Sequence, residues 1–211
     1  MHLTKAAISQ TEKIKRLNII NSISGVKPAN LIGTASSTKK SNLAIFSSVI
    51  HLGSDPALLG FILRPKGEQP RHTYENILET GYYTINQVHE YITAQSHFTA
   101  AKFDKEESEF EKCKLTEEFK FDFHAPFVKE SLLKIGMKYI ESIPIEINGT
   151  TLVIGEIQHL EVEDDAVDEE GYIDYEVLNS AGIVGLNNYY TLKKSAAYPY
   201  PRPSGLPNFI K

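Results

Sequence analysis

One cysteine, Cys113, stands in the whole chain of 211 residues. A lone thiol builds no disulfide framework and no cysteine-based metal site. A reducing, cytoplasmic setting fits that usage best. Basic charge is also short. Lys and Arg number 22 against 27 Asp and Glu, a formal net charge of −5. A nucleic-acid binder usually shows a basic face, so no nucleic-acid partner is expected. No apolar run approaches the about 18 residues of a membrane span, and Met1 to Gln10 lacks the apolar centre of a signal peptide. No membrane partner is expected either. Also absent are a GxGxxG after a strand, a P-loop, a GxSxG and an HExxH. His51, His72, His89, His97, His124 and His159 are scattered without metal-site spacing, so no metal is expected.

What is present suffices for a sizeable core: 41% of the residues are hydrophobic and 23% charged. No repeat, low-complexity tract or linker divides the chain. Residues 1–211 are therefore read as a single domain, with an N-terminal helix at about 11–24 and an extended arm at about 195–211. In the helix, Ile14, Leu17, Ile20 and Ile23 recur at three-residue spacing, and Gly25 supplies a stop. In the arm, prolines at 199, 201, 203 and 207 forbid helix.

Between them strands dominate. Asn30–Ser36, Leu43–Leu52, Ala57–Leu63, Tyr82–Val88, Glu130–Glu146 (interrupted at Pro144) and Thr151–Val162 read as strands. Asn148-Gly149 marks a hairpin between the last two. Thr73 is positioned to cap a short helix ending near Leu78, and Glu90–Phe103 fits another helix. The charged run Asp104–Lys114 reads as a solvated helix face rather than an acidic docking surface, and acidic Glu163–Glu170 as a solvated turn. Six or more strands with few helices define a mainly β chain and suit a closed or partly closed barrel. They do not suit a doubly wound parallel sheet.

Two segments carry chemistry. Ser41 to Val49 mixes Asn, Ala and Ser with apolar residues. It leads through a turn at Asp55-Pro56 into the apolar strand Ala57–Leu63. Such a strand leaves room for a flat ligand and offers short hydrogen-bonding groups. Downstream, Arg64, Arg71, His72 and Thr73 gather around a helix start, whose free N–H groups and partial positive charge favour an anion. A phosphate cradle and a solvent-exposed basic loop with a Thr cap explain this second segment equally well.

Taken in order, these segments resemble the flavin-reductase-like family. The matching residues are Asn42, Ala44, Phe46, Ser47 and Ser48, then Asp55, Pro56, Ala57 and Leu58. Thr73 and Ile77 follow, then Tyr83, Ile85 and Asn86, then Gly155-Glu156-Ile157, and finally Gly185, Tyr189 and Tyr190. The resemblance implies an FMN-binding split β-barrel with Greek-key-like connections, and an oxidoreductase working by hydride transfer through the flavin. It implies FMN as cofactor, NAD(P)H as transient electron donor, flavin and nicotinamide as small-molecule partners, and a homodimer. By the same resemblance Ala44, Ile45, Phe46, Ser47 and Ser48, with Leu43, line the flavin ring largely through backbone groups. Ser47 or Ser48, Arg64, Arg71, His72 and Thr73 hold the phosphate, and Thr34 and Asn42 sit at the edge of the ring or ribityl chain. His97 and Phe98 either pack within their helix or approach from a partner subunit. One element departs. Many relatives carry Gly-Asp-His near the late hairpin, where this chain has Ile147-Asn148-Gly149-Thr150. The departure favours an alternative, a flavin-binding electron carrier or store. A cofactor-free barrel acting as an interaction module is the third reading.

Overall fold

Strand-forming residues organise the chain around one curled sheet. The computed structural model describes residues 1–207 except 66, 68–70 and 105. Parts of the Arg64–Pro70 loop, the charged run and the end of the proline-rich arm thus lie outside the described residues.

Two short helices open the chain, α1 (Lys5–Gln10) and α2 (Lys13–Ser22). Strands β1 (Lys27–Pro28), β2 (Asn30–Ala35), β3 (Ser41–Phe46), β4 (Ile50–Ser54) and β5 (Ala57–Leu63) follow. Helix α3 (His72–Thr80) leads into β6 (Tyr82–Gln87), α4 (Thr93–Phe98) and α5 (Glu109–Lys112). Then come β7 (Glu117–Glu118), β8 (Phe127–Val128), β9 (Leu133–Ile145), β10 (Thr150–Val162), β11 (Ala181–Val184) and β12 (Asn188–Thr191).

The main sheet is antiparallel, in the order β3-β2-β6-β9-β10-β5-β4. Strands β3 and β4 are consecutive in sequence yet lie at its two opposite edges. Only residues 47–49 join them, a reach of at most about 15 Å. The sheet therefore has to curl until its edges nearly meet. Ser48 carries the β4–β5 pairing into the corner between the two edges. Its hydroxyl donates to the carbonyl of Ile62 at 3.2 Å and accepts from the Ile62 N–H at 3.1 Å. A single strand over Leu43–Leu52, as the apolar pattern predicts, is thereby corrected to two strands with a corner between them.

The inside of the curl is filled by Ile32, Phe61, Leu63, Ile77, Tyr83, Ile85, Met137 and Val153. Outside it, Leu31, Leu43, Val88, Phe110, Cys113, Val128 and Ile183 form a second core. Every residue of β2 is buried because both faces of that strand are covered. The β9–β10 hairpin matches the expectation from Asn148-Gly149, with Gly149 at φ +70°. Strand β9 runs unbroken through Pro144.

Other local expectations are corrected. The N-terminal helix spans Lys13–Ser22, capped by the Glu12 carboxylate through the N–H groups of Ile14 and Lys15. Its apolar stripe faces outward, with Ile14 58% and Ile23 72% exposed. Glu90–Phe103 shortens to one 3-10 turn and α4, because the chain folds back after Phe98 to bury Thr99. The charged run is not uniformly solvated: Glu109, Phe110 and Cys113 are buried. No helix among the described residues is long and apolar enough to cross a membrane.

Candidate functional site: the free edge of β3 and the start of α3

The β2–β3 hairpin and α3 meet through four buried side chains. Thr34 and Asn42 are cross-strand partners, so they share one face. Asn42 Nδ2 donates to Thr73 Oγ1 at 3.0 Å, and Asn76 Nδ2 donates to Thr34 Oγ1 at 3.1 Å. Thr73 is therefore not the cap the sequence predicts. The capping position is Arg71, with no side-chain cap bond, and Thr73 is the second residue of the helix. Its hydroxyl instead anchors the helix to β3. Asn76 was not foreseen; its three-residue spacing from Thr73 on one helix face was the available signal.

The start of α3 thus has no side chain from the capping residue on its first N–H groups, while the Arg71 N–H itself donates to Glu75 Oε1 at 3.4 Å. Arg71 bends back over the preceding loop, its Nη2 donating to the Pro65 carbonyl at 3.0 Å. Its Nε is buried and has no partner among the described residues. His72 is half-buried and lines a small polar cavity of about 20 Å³ with Ser36, Lys40, Asn42, Asn76 and Glu109. Arg64 is exposed, one residue before Pro65, with no described side-chain contact.

Strand β3 has a free edge. Ser36 N–H bonds to the Lys40 carbonyl at 2.9 Å and closes the hairpin. Counting back in twos, 34/42, 32/44 and 30/46 are the hydrogen-bonded pairs. Leu43 and Ile45 therefore point their N–H and C=O groups away from β2. Leu43 N–H is taken by Glu109 Oε2 at 3.1 Å. The N–H of Ile45 has no described partner. Ala44, Ile45, Phe46, Ser47 and Ser48 are all half-buried, and Phe46 stacks edge-on against Phe61 at 5.0 Å. Burial pushes the Glu109 carboxyl above its ordinary value, against the opposing influence of the Leu43 N–H and of His72. Glu109 too escaped the sequence reading, hidden in a run of charges.

The remaining candidates are drawn into the fold itself. Asn86 uses its amide on Thr84 Oγ1, the Leu31 carbonyl and the Val128 N–H, at 2.8, 3.2 and 3.0 Å. Gly155 lies under the Tyr83 phenol, where a Cβ would come within 2.2 Å of the hydroxyl oxygen. His97 Nδ1 is 3.2 Å from the Tyr189 hydroxyl, whose pKa burial pushes up to about 12, while Phe98 is 64% exposed. His89 bonds the Glu130 carbonyl, and His159 stacks on Phe121 at 5.1 Å. Among the described residues no three His, Cys, Asp or Glu side chains cluster to hold a metal.

A curled antiparallel sheet with a seam, a helix start at one side and an open strand edge beside it is a split barrel built around an elongated site. Comparison with known proteins sharpens this. The chain belongs to the family described as the flavin reductase like domain, whose model matches residues 25–179. A split-barrel protein of the flavin reductase type from Shewanella frigidimarina is 51% identical, with a TM-score of 0.92 over 95% of this chain and 100% of that one. Flavoredoxin of Desulfovibrio vulgaris is 22% identical, with a TM-score of 0.72 over 83% and 91%. An uncharacterized protein of Halalkalibacterium halodurans is 30% identical over 70% of this chain and 73% of its own. The residues fit the flavin this family is named for. The open edge of β3 matches a flat heterocycle with hydrogen-bonding edges, and the buried Arg71 Nε, without a partner among the described residues, beside an uncapped helix start matches an anion.

Proposed function

We propose that this protein binds FMN along β3 and works as a flavin-reductase-like oxidoreductase that draws electrons from NAD(P)H. The observation that carries the reading is the open edge at Ile45 leading to the uncapped start of α3. Bound there, FMN supplies reversible two-electron chemistry at its N5. The chain's own work is binding and orientation. Ile45 offers a backbone donor and acceptor, Phe46 and Ala44 bound the ring, and Arg71, His72 and Thr73 surround the phosphate, with Arg64 and Ser47 at its rim. Asn42 and Thr34 hold α3 against β3, so ring and phosphate sites keep a constant separation. The protein as purified should be yellow, with flavin absorbance in proportion to protein. A colourless preparation that takes up no FMN would sink the reading.

A second reading has its own support. The late hairpin carries Asn148-Gly149, where Asn148 spends its side-chain oxygen on Thr150, and no Asp or His stands there. The protein is then a flavin-binding electron carrier or store. Anaerobic stopped-flow mixing with NADH and with NADPH separates the two: rapid bleaching identifies the reductase, none the carrier. We also read the active form as a homodimer. Exposed Phe98 and Tyr91, 64% and 71% exposed beside α4, support a partner surface near the site. Gel filtration at the 23.7 kDa monomer mass with full flavin would count against it.

A further inference from the structure

We propose that Glu109 is a positioning residue for the flavin: it clamps β3 at Leu43 and occupies that residue's edge N–H, so that a ligand meets Ile45 first. The inference rests on flavin binding at this edge.

Strand β3 is paired only through β2. Its hydrogen-bonding parity leaves three residues facing outward, Ser41 at its start and then Leu43 and Ile45. Their N–H groups repeat after two residues, about 7 Å along the strand. A flat ligand with an acceptor on its edge could use any of these donors. Glu109 removes one of them, through the 3.1 Å bond from the Leu43 N–H. What remains in the second half of the strand is the Ile45 pair, beside Phe46 and the Ser47-Ser48 corner. A slip of two residues would carry the ring about 7 Å toward the buried Asn42–Thr73 contact and away from Phe46.

The clamp is built, not incidental. Helix α5 is only four residues long and is held by its neighbours: Phe110 and Cys113 pack in the same core as Leu43. Asn42 is tied to Thr73 at the next position, and the Ser41 hydroxyl donates to Glu117. So β3 is gripped from α3, α5 and β7 over three consecutive residues, then left free from Ile45 onward. Among the described carboxylates of the charged run, Glu109 alone is buried; Glu107 pairs with Lys112 at 2.8 Å in the open. An apolar side chain at 109 would pack in that setting without the desolvation a buried carboxyl incurs. What it could not do is accept the Leu43 N–H.

The test compares Glu109→Leu, Glu109→Gln and Phe110→Leu with the wild type. Glu109→Met, close to Glu in length, serves as the second apolar variant. FMN and riboflavin dissociation constants are measured by fluorescence titration, with the visible circular dichroism of bound flavin and the melting temperature of the apoprotein. The expected result is about tenfold weaker binding of FMN and riboflavin alike in the Leu and Met variants, the scale of one lost hydrogen bond. Their flavin dichroism should change as well. Glu109→Gln keeps an acceptor and should stay within about threefold of wild type with unchanged dichroism. Phe110→Leu should melt lower yet bind normally. The proposal is overturned if the apolar variants bind both flavins like wild type. It is equally overturned if they lose only FMN, which would put Glu109 at the phosphate, or if Phe110→Leu loses as much affinity. A wild-type protein that binds neither flavin overturns the functional reading as well, and so is told apart from these outcomes.

Discussion

Ser48 lies in the corner that joins the barrel's two edge strands, so its removal tests how that corner is held. In Ser48→Ala the N–H and C=O of Ile62 both lose their partner, at 3.1 and 3.2 Å. A protein hydrogen bond contributes about 1 kcal/mol net, and an orphaned buried group costs somewhat more. Ser48 and Ile62 are half-buried, so water recovers part of the loss. The expected destabilisation is about 1–2 kcal/mol. For a chain of this size that lowers the melting temperature by about 2–8 °C. The chain has no Trp, so urea unfolding is best followed by far-ultraviolet circular dichroism. The midpoint should fall with the denaturant slope unchanged. Ser47→Ala is the matched control. Its hydroxyl has no described bond, and the change should stay within about 0.5 kcal/mol. Equal stability of Ser48→Ala and wild type would refute the stitched corner. So would an equal loss in Ser47→Ala. A loss of flavin affinity in Ser48→Ala with an unchanged apoprotein midpoint would instead assign Ser48 to the cofactor.

Gly155→Ala should destabilise by about 1–3 kcal/mol, since the added Cβ would lie 2.2 Å from the Tyr83 hydroxyl oxygen. Tyr83→Phe alone should be neutral or stabilising, because that buried phenol has no described partner, and it should rescue part of the Gly155→Ala loss. Urea midpoints of the two single variants and the double variant check this; a neutral Gly155→Ala would be fatal to it. Arg71→Ala should weaken FMN by about 1.5–3 kcal/mol and leave riboflavin untouched, the signature of a phosphate contact. Unchanged FMN affinity in a titration would remove Arg71 from the site. Burial raises the Glu109 pKa in the folded state, so the folded protein holds that proton more tightly than the unfolded chain. As pH rises from the ordinary value of 4.5 through the raised one, wild type loses this part of its stability and Glu109→Gln does not. The stability difference between variant and wild type should therefore grow across that window, as read from urea midpoints at several pH values. A flat difference would contradict the burial argument.

Local sequence determined the elements whose cause is local. The β9–β10 hairpin was legible because Asn148-Gly149 sits between two β-rich runs, and a positive φ at Gly149 is what such a turn needs. The ordered residues from Asn42 to Tyr190 were enough to point to the family by resemblance. The sequence also grouped β3 with the start of α3, and the structure brings the two into contact through Asn42–Thr73 and Thr34–Asn76. Tertiary structure decided what each polar group does there. Whether Ser48 faces a ligand or a strand depends on how β5 folds back along β4, whose register puts Ile62 opposite it. Thr73 looked like a cap because local pattern offers it no other partner; β3 supplies one. Glu109 looked solvated because nothing in a run of charges marks the one that a neighbouring strand will cover. Side-chain type is written along the chain, but a hydrogen-bond partner many residues away is chosen by packing. That choice separates the groups that hold this barrel shut from those left open for a cofactor.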